Sequence, residues 1–207
     1  MTELFSIVTA AHDQWEEFTA PLIASLRQCE PKVPLVVVDS DSKPEYPKQI
    51  DDYTTVIRTD NESHAKSINL GLVHCPISEW YLILDNDTLV YDKIGEVIRK
   101  LDPFSLYGGE VRHWKYGYYA VGWCFLIPRR ILLKIGLFDE NYIKILYEET
   151  DYCYRATKKN FGIQHVKNIP IVHVNGGGGS RRYVDSEKLT QVNLGYFLAK
   201  HRLDWMT

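Results

Sequence analysis

Asp85-Asn86-Asp87 follows the apolar run Tyr81-Leu82-Ile83-Leu84 without a break. Two carboxylates one residue apart at the end of a buried strand can share a divalent cation that also takes diphosphate oxygens. Mg²⁺ and Mn²⁺ prefer oxygen ligands and keep positions open for phosphate. The same tripeptide is ordinary turn chemistry, because Asp and Asn hydrogen-bond their own backbone, so its place after a strand matters more than its spelling. His173 ends the strand-like segment Ile169-Pro170-Ile171-Val172 and could add an imidazole ligand beside the carboxylates, although a His there is commonly just a polar terminus. Glu148-Glu149-Thr150-Asp151 sets three carboxylates in four residues at an expected helix start. The macrodipole alone favours acids in a first turn. The chemical reading makes Glu149 a general base that takes a proton from an attacking hydroxyl, with Asp151 orienting hydroxyl groups.

Gly176 to Gly179 precede Ser180, Arg181 and Arg182. Backbone N–H groups of such a run can approach phosphates and the arginines can clamp a leaving diphosphate; a plain surface segment has the same composition. The order G-x-x-x-x-G-K-[ST] is missing, so this is not a P-loop. No G-x-G-x-x-G follows the first strand, which disfavours a dinucleotide-dependent oxidoreductase.

The elements that must position these groups alternate. Strands are expected over residues 4–9, 35–39, 53–58 and 80–84, with helices over 15–29 and 64–73. Such alternation predicts a mostly parallel α/β sheet with helices on both faces, which binds ligands beyond the carboxyl ends of its strands. Thr9, Asp39 and Asp85 all fall at such ends. Further on, a short amphipathic helix is expected over 92–101, irregular Gly- and aromatic-rich strands and loops over 104–127, a helix opened by Pro128 and closed by Gly136, and another over 149–160. A strand-like stretch covers 169–174, and a terminal helix starts at Asp185.

At 207 residues the chain is the size of one domain. A net charge of −3 without a long basic run disfavours nucleic acid; the dense basic points are Arg129-Arg130 and Arg181-Arg182. The four cysteines form no C-x-x-C pair, so reduced thiols are expected rather than a zinc knuckle. No basic leader and no apolar run near the ~18 residues of a membrane span occur, so the expectation is a cytoplasmic protein without a transmembrane segment, with peripheral contact at a membrane compatible. Fourteen Tyr and five Trp suit a ring-lined sugar or nucleotide cleft, and equally a core or an oligomer contact.

Taken in order, these segments resemble glycosyltransferase family 2 on a GT-A fold, over nearly the whole chain. Phe5-Ser6-Ile7-Val8-Thr9-Ala10 is similar to the opening strand, whose end holds the nucleotide base; LVVVDS, residues 35–40, to the second, whose Asp contacts uracil or ribose. Residues 65–71 resemble the "aN-x-G" helix beside the donor, and LILDND the strand leading into D-x-D. GWCFLIPRRILLKIGLFDENY, YEETDYCYR and IPIVHVNGGGGS match the later stretches of the pattern. The resemblance implies a Rossmann-like, mostly parallel central sheet with a small mixed second sheet. It implies a donor-binding half at about 1–100, an acceptor half at about 101–183 and a C-terminal helix at about 184–207.

On the same basis Asp87 and His173 are the metal ligands, with Asp85 nearer the ribose or metal. Thr9, Ala10, Asp39, Lys66, Asn69, Asp85, Asn86 and Arg181 fall to the donor, and Mn²⁺ or Mg²⁺ is the cofactor. Two positions depart from the pattern. Glu149 stands where the family usually has an Asp base, leaving Glu149 or Asp151 for the chemistry, and Ile68 replaces a common Arg, with Lys66 or Arg58 as substitutes. The implied reaction is inverting transfer of a sugar from a UDP-, TDP- or GDP-linked donor to a hydroxyl of a glycan, lipid-linked or small-molecule acceptor. A nucleotidyltransferase of the same fold is disfavoured by Ala10-Ala11-His12-Asp13 after the first strand, where a Gly-rich basic loop is usual. A non-catalytic sugar- or nucleotide-binding module is the other alternative.

Overall fold

The computed structural model describes residues 2–174 and 185–204. β1 (Glu3–Ala11) sends alternate side chains into two apolar layers: Phe5 and Ile7 enter one, Val8 the other. A π-helical turn (Trp15–Thr19) leads into α1 (Ala20–Cys29), where a single helix is expected from the sequence; Pro21, lacking an N–H, sits at the start of the regular part. β2 (Leu35–Ser40) is buried at every position, as a strand covered on both faces must be. β3 (Thr54–Thr59), α2 (His64–His74) and β4 (Ser78–Leu84) follow. Gly71 lets α2 lie close to the sheet: a Cβ there would stand 2.3 Å from Val8 Cγ1.

β5 (Thr88–Val90) and a one-turn α3 (Ile94–Ile98) come next, the latter shorter than the expected 92–101. The stretch read as irregular resolves into β6 (Ser105–Gly108), β7 (Val111–Trp114), β8 (Gly117–Ala120) and β9 (Cys124–Pro128). α4 (Arg129–Ile135) and α5 (Glu148–Thr157) precede β10 (Gly162–His165), a strand the sequence reading did not anticipate. β11 (Ile171–His173) and α6 (Ser186–His201) complete the described chain.

The main sheet runs β10-β6-β9-β4-β1-β2-β3. Its neighbours pair in parallel except at β9, antiparallel to both β4 and β6. α1 and α3 cover one face through Leu22, Leu26, Ile94 and Ile98; α2, α4 and α5 cover the other through Ile68, Leu72, Ile131 and Tyr152. Each such aliphatic side chain taken out of water contributes roughly 1.5–3 kcal/mol, enough to fix the register of strands whose faces are both buried. The smaller sheet material forms two antiparallel ribbons, β5 with β11 and β7 with β8.

Candidate active site

Because β1, β2 and β4 run in parallel, their carboxyl ends share one rim, and a cleft of about 420 Å³ opens there. Ala10, Ala11, His12 and Ser40 line one part; Asp85, Asn86, Asp87 and His173 line its floor; Glu148 and Glu149 stand on another wall. The β5–β11 ribbon explains how His173 reaches a carboxylate 86 residues away. It sets His173 opposite Thr88, next to Asp87, and the Val174 N–H donates to the Asp87 carbonyl at 2.8 Å. His173 Nε2 then lies 3.0 Å from Asp87 Oδ1, while the ring stacks on Trp123 at 5.2 Å.

Ligand atoms of Asp85, Asp87 and His173 all lie within 4.8 Å of one another. Two carboxylate oxygens and an imidazole nitrogen suit Mn²⁺ or Mg²⁺, so the residues present fit a divalent cation. The electrostatics agree. Burial lifts the Asp85 carboxyl above its ordinary range against the pull of His64, a cost that a cation would relieve. Burial disfavours a charged His173, but its hydrogen bond to Asp87 outweighs this and raises it; a metal would displace that proton.

Glu149 occupies the second position of α5, and burial, reinforced by Glu148, pushes its carboxyl up to about 8. It passes directly over Gly122, where a Cβ would fall 2.0 Å from Glu149 Oε1. A carboxylate that is reluctant to ionise, faces a cleft and has a neutral-range pKa can work as a general base. Asp151 sits elsewhere. It is fully buried behind the site, held by Lys200 Nζ at 2.6 Å, Arg155 Nε at 2.7 Å and His201 Nε2 at 2.8 Å. Burial works against its charge, yet these donors, Lys200 foremost, hold it below the ordinary carboxylate range. Asp151 anchors α6 to α5 and does not line the cleft.

The donor-side expectations divide. Ala10, Asp85 and Asn86 line the cleft, with Asn86 Nδ2 donating to Thr19 Oγ1 at 3.1 Å. Four others are placed outside its lining. Thr9 is fully buried, its hydroxyl without a hydrogen-bond partner among the described residues. Asp39 spends its carboxylate on Arg58 at 2.8 Å and on the Ser42 and Tyr46 N–H groups, which fold the loop after β2. Lys66 pairs with Glu62 just before α2, and buried Asn69 bridges the Phe138 backbone and Glu140. Arg58 is likewise occupied by Asp39 and Asp41. Arg181 and the glycine run lie outside the described residues.

Several cleft residues escaped the sequence reading. Trp114, Tyr119 and Tyr147 form an aromatic wall, with Trp114 and Tyr147 rings 5.8 Å apart. His64, at the first position of α2, hydrogen-bonds Glu148 at 3.1 Å. The loop leading into α5 holds Lys144, Leu146 and Tyr147 at φ of 57°, 81° and 76°, the left-handed region that costs non-glycine residues about 1–3 kcal/mol each. Buried Asn193 of α6 holds that loop, donating to the Ile143, Ile145 and Leu146 carbonyls at 2.9–3.0 Å and accepting from the Ile143 N–H at 3.0 Å. No sequence signal marked Asn193, since its helix face also carries Ser186, Thr190 and Lys200.

The comparisons place this geometry. The model of glycosyl transferase family 2 matches residues 6–165. A hexosyltransferase of low-salt glycan biosynthesis, Agl10 of Haloferax volcanii, is 27% identical over 79 residues, 38% of this chain and 25% of that protein. A mannosyltransferase of Pyrobaculum calidifontis, solved with GDP-Man and Mn²⁺, superposes with a TM-score of 0.70 at 14% identity, covering 99% of this chain and 65% of that one. GalNAc-T7, solved with UDP, GalNAc and Mn²⁺, gives 0.64 at 14% identity over 83% of this chain and 44% of its own. The catalytic domain of Drosophila β1,4-galactosyltransferase 7, solved with xylobiose, gives 0.58 at 13% over 93% and 81%. The chain thus spans about a quarter of the curated relative and just under two thirds of the mannosyltransferase. At these identities the solved structures speak for the fold, which is GT-A, and the family match covers most of the sequence: the chain belongs to glycosyltransferase family 2.

Proposed function

We propose that this protein transfers a sugar from a nucleoside-diphosphate sugar to an acceptor hydroxyl in one inverting displacement, with Mn²⁺ or Mg²⁺ held by Asp87, His173 and Asp85. The observation that carries the reading is that this trio and Glu149 open into one cleft. The bound cation would supply charge stabilisation for the departing diphosphate. Glu149 accepts the acceptor's hydroxyl proton at its carboxylate, and Gly122 leaves the space in which it does so. Trp114, Tyr119 and Tyr147 form the wall against which an acceptor lies and exclude water from it. Ala10, Ala11, His12 and Ser40 receive the nucleotide end of the donor. UDP and GDP in the solved relatives support those two bases among the UDP-, TDP- and GDP-linked candidates, and xylobiose in one of them supports a glycan acceptor over a lipid-linked or small-molecule one.

We read residues 1–207 as a single catalytic unit, donor half first. No described helix is long and apolar enough to cross a membrane. A groove at the opposite end of the sheet, lined by Arg99, Arg129, Arg130 and exposed Leu133, supports peripheral contact of a cytoplasmic protein with an anionic membrane.

The test is thermal stabilisation by UDP, GDP or TDP with and without Mn²⁺, followed by hydrolysis of the corresponding sugar nucleotides. Mn²⁺-dependent stabilisation by one of them, abolished in Asp87→Ala, is expected. Stabilisation by none would overturn the transferase reading; stabilisation without turnover of any donor would leave a binding module.

A further inference from the structure

Glu148 is 2% exposed and lines the cleft one residue before the base. One of its oxygens meets His64 Nδ1 at 3.1 Å; the other, Oε2, is buried with no hydrogen-bond partner among the described residues. Two adjacent carboxylates in a poorly solvated site cannot both ionise cheaply, and such a pair tends to share a proton. A shared proton would disable the base in its resting state. His64 is the group placed to prevent this. It opens α2 as Glu148 opens α5, so the positive ends of two helices meet at the pair. The His64 N–H donates to the Lys144 carbonyl at 2.6 Å, which fixes the residue against the strained loop leading into α5.

We infer that His64 is a positioning residue for the base: as an imidazolium it takes up the charge of Glu148 and locks the first turns of α2 and α5 together. Glu149 thereby ionises more readily than it would beside an uncompensated Glu148, and is presented to the acceptor as the group that takes its proton. The inference rests on the reading of Glu149 as base. The groups facing His64 are consistent with it: burial opposes its charge, but Glu148 first, then Asp85 and Glu149, outweigh this and raise it to about 9.

Charge, as opposed to shape, is separable with three variants assayed on the sugar nucleotide that wild type hydrolyses fastest, with Mn²⁺. His64→Gln keeps a hydrogen-bond donor for Glu148 but loses the cation; kcat should fall about tenfold or more while donor KM and Mn²⁺–nucleotide stabilisation hold. Adding Glu148→Gln removes the uncompensated neighbour, so the double variant should recover most of the lost kcat. Glu149→Gln tests the base itself. A double variant as slow as His64→Gln, with melting temperatures of both near wild type, overturns the inference. If the double variant melts far below wild type, His64→Lys, which restores a cation, must recover kcat, and failure there overturns it equally. Full activity of Glu149→Gln would instead remove the base reading on which the inference stands.

Discussion

Gly122→Ala isolates the placement of the base from the stability of the fold. The added Cβ would stand 2.0 Å from Glu149 Oε1, 2.8 Å from its Cδ and 3.3 Å from its Cγ. Ordinary contact begins near 3.4 Å, so the carboxylate oxygen must retreat by about 1.4 Å. The obstacle is the end of a flexible side chain, and Gly122 lies outside the left-handed backbone region, so alanine strains nothing else. Stability should change by less than about 1 kcal/mol, with the reduced freedom of the unfolded chain favouring the variant. Displacing a reacting group by about 1 Å costs roughly a hundredfold, or about 2.7 kcal/mol of barrier. The assay compares kcat for transfer with the Mn²⁺-dependent stabilisation by nucleoside diphosphate, which should be unchanged because the Asp87–His173 pair is untouched. Shortening the acid in Gly122→Ala/Glu149→Asp should restore part of the rate. Wild-type kcat in Gly122→Ala would refute the placement of Glu149 as base.

Removing the Asn193 amide in Asn193→Ala leaves three carbonyls of the 143–146 loop without their donor; a loss of about 2–4 kcal/mol in urea denaturation is expected, with kcat falling as the loop relaxes. Asp151→Asn strips the shared carboxylate from Lys200, Arg155 and His201; since those cations are partly solvated, about 2–3 kcal/mol of stability should go, with donor affinity retained. Asp151 and Asp139 both have carboxyls held below the ordinary range, against burial, with Lys200 the first of their stabilising partners. Their contribution is therefore present above a pH of about 4 and lost as pH falls towards their folded values, and acid unfolding followed by circular dichroism should be less steep in Asp151→Asn. For the base the sign is opposite in effect: transfer should rise with pH until Glu149 ionises near 8, and a flat pH–rate profile between 6 and 9 would contradict its role.

Much of the N-terminal half was legible because its signals are local. Leu35-Val36-Val37-Val38-Asp39 and Tyr81-Leu82-Ile83-Leu84-Asp85 announce buried strands ending on carboxylates, and parallel pairing then puts those ends on one rim. The region 104–127 was not legible, since four short strands rich in Gly and aromatics carry no clean period and β9 runs against its neighbours. Asp39 and Asn69 matched a pattern of residue types, but each has polar atoms spent on neighbours that only folding brings near, whereas Lys66 is paired with Glu62, four positions before it.

The sequence by itself determined the alternating strands and helices, the Asp85-Asn86-Asp87 spacing and the acidic start of α5, because each depends on residues a few positions apart. Tertiary structure decided which of those groups meet. The β5–β11 ribbon delivers His173 to Asp87, α6 claims Asp151 through Lys200 and His201, and Gly122 makes room for Glu149. Two carboxylates two residues apart on one helix are alike in sequence. Their surroundings differ: a cationic clamp holds Asp151, and an open cleft faces Glu149.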